Sequence, residues 1–88
     1  MADDINDNAS FVAMQSIFSE ELDQPGMKLE LSDNPETIAD WDSLAHIRIM
    51  TAIEAEFGFQ FELKELEDLH TVGEILSAVT ARQANSLI

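Results

Sequence analysis

The residues of this 88-residue chain that could do chemistry are few, and they gather in "DWDSLAHIRIM", Asp40 to Met50. Ser43 offers a hydroxyl between a carboxylate, Asp42, and an apolar neighbour, Leu44, with His46 three residues on. A serine nucleophile would need a base and an oxyanion hole. Helical spacing sends His46 toward an apolar arc and the G-x-S-x-G turn is missing, so catalysis by the bare chain is disfavoured. A calcium loop starting at Asp40 fails too, because Leu44, Ala45 and Thr51 stand where oxygen ligands and a glycine are required. With two histidines and no cysteine, zinc has too few donors. No metal site and no catalytic residue is expected. What remains is the position itself. A helix start presents unpaired amides and a partial positive charge, so a phosphate esterified to Ser43 would sit favourably there. Asp42 and Ser43 could equally serve only as a cap, and on physical grounds alone capping is the commoner use of both residue types.

Several elements must hold that position. From about Ser10, Phe11, Met14, Ile17, Phe18 and Leu22 share one helical face, and "DQPG" ends the helix. The first eight or so residues read as a loose arm. Residues 23–42 form a long connection with both prolines, Pro25 and Pro35. Its "MKLEL" alternates like a strand, but without a pairing partner it reads better as a loop pinned by Leu29 and Leu31.

A second helix is expected from Asp42 or Ser43 to Phe57, with Gly58 as its stop. Ile47, Ile49, Met50, Ile53 and Phe57 are assigned to its buried arc, with His46 among them. Leu44, Arg48, Thr51, Ala52 and Ala55 are assigned to the opposite one. "ELKELEDL" allows about two turns that bury Leu63 or Leu66 with Leu69. "TVGE" reads as a capping box opening a last helix with Val72, Ile75, Leu76 and Val79 on its apolar face. The expected fold is all-α: a small four-helix bundle with three longer helices, a short third one, and a long loop between the first two. One domain spans 1–88, with the bundle over about 10–80.

Charge narrows the function. Eighteen acidic residues face only Lys28, Lys64, Arg48 and Arg82, for a net charge of −14. Such a field repels phosphate backbones and anionic membranes and favours basic patches on protein partners. The acidic opening "MADDINDN" is unlike a secretory signal, and no apolar run reaches the roughly 18 residues of a membrane span. A cytoplasmic monomer is expected, binding neither nucleic acid nor membrane.

The longer stretch "DWDSLAHIRIMTAIEAEFGFQF" resembles the central signature of acyl carrier proteins, whose D-S-L opens the second helix. The short third helix, the "TVGE" start and the gap from Leu22 to Asp42 extend the likeness over about residues 10–80. The resemblance implies 4′-phosphopantetheine on Ser43, with Asp42 helping a phosphopantetheinyl transferase place its magnesium and coenzyme A. It implies partner docking by Leu44, with Arg48, Thr51 and Ala55 along the same outer face. The thiol this cysteine-free chain lacks would come from the prosthetic group. A free-standing carrier of thioester-bound acyl groups follows, presenting them to acyl-transferring or acyl-activating enzymes and synthases, and not itself an enzyme. An aminoacyl or peptidyl carrier, or an unmodified acidic interaction module, stands as the alternative. Two features depart from fatty-acid-synthesis members. Trp41 stands before Asp42, a form more like carriers of specialised pathways such as polyketide assembly, and the outer face of the second helix has few acids.

Overall fold

The computed structural model describes the backbone of residues 2–86 and the side chains of residues 9–82. Four helices follow in order: α1 (Ala2–Glu21), α2 (Ser43–Phe57), α3 (Leu63–Asp68) and α4 (Val72–Ser86). No strand occurs among the described residues, so "MKLEL" is loop. The all-α bundle with one short helix is the expected architecture.

Helix α1 begins at Ala2 and not near Ser10, so the segment expected as a loose arm has helical backbone. Met14, Ile17, Phe18 and Leu22 bury the expected face, and α1 packs against both α2 and α4. Those helices contribute Ile49, Met50, Ile53, Val72, Ile75 and Val79 to one continuous core.

The long α1–α2 connection is held by side chains and by its own backbone. Leu29, Ile38 and Trp41 are buried, whereas Leu31, expected to pin the loop, is exposed. The Leu31 carbonyl does the anchoring instead, accepting from the Gly73 amide at 2.9 Å, while the Asp33 carbonyl accepts from Val72 at 3.0 Å. A side chain on Gly73 would bring its Cβ to 3.2 Å from the Leu31 carbonyl oxygen, so the loop docks where the helix has none. The Gln15 side-chain oxygen accepts from the Leu29 amide at 2.8 Å and ties the loop to α1 as well.

One assignment on α2 is corrected, and the choice left open on α3 is settled. Ile47 is 51% exposed and belongs to the outer face of α2. It lies two residues from Ile49, and at about 100° per residue such neighbours point apart. Leu63 is 72% exposed at the start of α3, while Leu66 and Leu69 pack partly against the core. Helix α3 fully buries no side chain. It is held partly by Arg82 of α4, which pairs with Glu65 and lies 5.3 Å from the Phe59 ring centroid.

Candidate functional site

Competition for the start of α2 is resolved in favour of Asp42. Its extended backbone (φ −96°, ψ −175°) makes it the N-cap, and its carboxylate accepts from the Ala45 amide at 2.8 Å. Its own carbonyl accepts from the His46 amide at 2.8 Å, the first bond of the helix. Ser43 is therefore the first helical residue and not the cap. It is exposed, and among the described residues its hydroxyl makes no hydrogen bond. The amides of Ser43 and Leu44 are likewise without a partner among the described residues. A free hydroxyl thus stands beside two free N–H donors at the positive end of a helix.

Trp41 fixes this turn from behind. It is 1% exposed, packs edge-on against Phe18 at 4.9 Å between ring centroids, and donates its indole N–H to His46 Nδ1 at 3.0 Å. It is a loop residue pinned into the bundle. His46 Nε2 lies 3.2 Å from the Leu66 carbonyl, so the histidine is the packed, hydrogen-bonded residue its place on the apolar arc implied. Burial holds its imidazole below the usual value, with His70 acting in the same direction and the Leu66 hydrogen bond opposing. His70 is exposed, its ring 5.8 Å from that of His46.

Of the outer-face residues, Leu44 is 66% exposed, and Arg48, Thr51 and Ala55 are also exposed, while Ala52 is half-buried. Arg48 reaches Glu21 of α1 at 3.5 Å, an exposed pair of little energetic weight. Ile47 joins Leu44 on this face, one turn along the helix; its apolar type suggests core, but its angle sets it outside. No group of three potential metal ligands occurs among the described residues. Nor is any helix among the described residues long and apolar enough to cross a membrane.

The family model for the phosphopantetheine attachment site matches residues 13–79, which bracket the Asp42–Ser43–Leu44 turn. The chain belongs to this family, that of the acyl carrier proteins. It is also similar to the holo acyl carrier protein of Geobacter metallireducens, solved by solution NMR. The two are 28% identical with a TM-score of 0.80, over 89% of this chain and 90% of that one. Among curated proteins nothing matches. The cofactor is 4′-phosphopantetheine, held covalently. The local structure suits such a group: an unbonded, exposed hydroxyl to receive it, and free amides beside a phosphodiester's negative charge.

Proposed function

We propose that this carrier domain holds acyl groups as thioesters on 4′-phosphopantetheine esterified to Ser43, and presents them to separate enzymes. The bound arm supplies the thiol that the chain lacks. The observation that carries the reading is the division of labour at the start of α2, where Asp42 caps and Ser43 is left exposed and unbonded. In loading by a phosphopantetheinyl transferase, the Ser43 Oγ–H attacks the β-phosphorus of coenzyme A. An Oγ–P bond forms, the pyrophosphate P–O bond breaks, adenosine 3′,5′-bisphosphate leaves, and the serine proton passes to a base. Asp42 keeps its turn rigid during that attack and helps place the transferase's magnesium and coenzyme A. The outer face of α2, with Leu44, Ile47, Arg48, Thr51 and Ala55, meets partner enzymes more by packing than by charge. Likeness to a holo acyl carrier protein across 89% of the chain favours acyl over aminoacyl or peptidyl cargo.

The test is direct. The full chain with coenzyme A, magnesium and a broad-specificity phosphopantetheinyl transferase is expected to gain the mass of one phosphopantetheine, and Ser43→Ala to gain none while melting like the parent. Modification of Ser43→Ala, or none of the parent, would overturn the assignment.

A further inference from the structure

We propose that Trp41, His46 and the Leu66 carbonyl form a proton-operated latch. It ties the turn before Ser43 to α3 while His46 is neutral and releases it when His46 takes up a proton. The partners themselves assign the tautomer. An indole nitrogen can only donate, so His46 Nδ1, at 3.0 Å, must present a lone pair. A carbonyl can only accept, so the ring proton sits on Nε2, 3.2 Å from the Leu66 oxygen. One neutral imidazole thereby joins the end of the α1–α2 loop to α3.

Protonation places a hydrogen on Nδ1 as well. Two N–H groups would then face each other across 3.0 Å, and one must move away. Trp41 and His46 are both buried, so an indole N–H that loses this acceptor does so away from bulk water, where an unmade hydrogen bond is costly. The surroundings give the imidazolium little in return. The loop offers the indole, α3 a carbonyl, and the α3–α4 connection His70, a second base. Phe18 of α1 covers the far side of Trp41. At the cap of α2 the Asp42 carboxylate is bonded to the Ala45 amide, and at the start of α4 Glu74 is bonded to the amides of His70 and Thr71. Among the described residues no carboxylate pairs with His46. Helix α3 is the element placed to respond, because it buries no side chain fully and its other ties are the Arg82–Glu65 pair and the partial packing of Leu66 and Leu69. Trp41 adjoins the cap Asp42, so release also reaches the turn that displays Ser43.

The latch is independent of the carrier reading and can be tested on the full chain without its prosthetic group. An NMR titration from about pH 8 to about pH 5 would follow the His46 ring, the Trp41 indole N–H and amide exchange in α3. The indole signal is expected to move with the His46 midpoint, and the α3 amides to lose protection several-fold across it. Trp41→Phe removes the opposing donor, so the His46 midpoint should rise by about half to one unit. His46→Gln offers an acceptor and a donor that do not titrate here, and should leave α3 protection flat with pH. Titration of His46 with the indole and α3 unmoved would overturn the latch. So would the absence of His46 titration above acid unfolding, or an unshifted midpoint in Trp41→Phe. The parent titration is decisive even where a variant does not fold.

Discussion

Helices α2 and α4 begin with similar machinery and finish differently. At α4 every early amide is used: Thr71 bonds to the Glu74 carboxylate, Val72 to the Asp33 carbonyl, Gly73 to the Leu31 carbonyl, and Glu74 to the Thr71 hydroxyl. At α2 the cap residue Asp42 serves only Ala45 by side chain and His46 by backbone, and the amides of Ser43 and Leu44 stay free among the described residues. The first start is a structural joint, closed by a loop that lies across it. The second is supported from beneath by Trp41 and left open above. A capping residue alone does not distinguish the two; the donors left over do.

Variants can break this contrast from either side. Ser43→Ala should have the largest effect on function, abolishing phosphopantetheine loading by intact mass while changing stability by less than about 0.5 kcal/mol in urea denaturation. Gly73→Val should have the largest effect on stability. It pushes a branched side chain against the Leu31 carbonyl and should cost about 1–3 kcal/mol by the same measurement, leaving the Ser43 hydroxyl available.

Removing a cap is a smaller step. Thr71→Ala should cost about 1 kcal/mol with loading unchanged. Asp42→Asn keeps a good capping side chain and so should leave stability within a few tenths of a kcal/mol. Loss of the carboxylate should nevertheless slow loading about tenfold or more if it helps place the magnesium. Equal loading rates in Asp42→Asn and the parent would reduce Asp42 to a cap and make the two starts more alike.

Acid should weaken the molecule gradually, in two windows. His46 is held below its ordinary value of 6.5, chiefly by burial, so the unfolded chain takes up the proton first. Its contribution is complete above that value and declines as pH falls toward the folded one. Glu65, lowered by Arg82, and Glu74, lowered by the amides of His70 and Thr71, behave alike at lower pH. Their contributions are present above the ordinary carboxylate value of 4.5 and are lost as pH falls through their folded values. Melting temperature against pH should show both declines, and His46→Gln should remove the upper one alone.

Much of this was readable along the chain. The apolar period of α1, the Gly58 stop, the capping box at Thr71 and the placement of His46 all follow from short-range rules that the neighbouring residues satisfy. Failures came where long-range contacts decide. Of the two leucines expected to pin the loop, Leu29 is buried and Leu31 exposed, and of the alternatives Leu63 and Leu66 it is Leu66 that packs with Leu69 against the core. Ile47 is different, because its angle from Ile49 is a local property that already places it outside despite its hydrophobicity.

The site divides the same way. By itself the sequence determined a small acidic helical chain, a serine beside an aspartate at a helix start, and a signature shared with a carrier family, because helix periodicity and capping are local. Tertiary structure alone decided that Asp42 caps and Ser43 is spare, that the long loop closes α4 and leaves α2 open, and that Trp41 meets His46 over the Leu66 carbonyl. Those outcomes depend on which distant backbone groups arrive at each helix end, and no run of neighbouring residues specifies that.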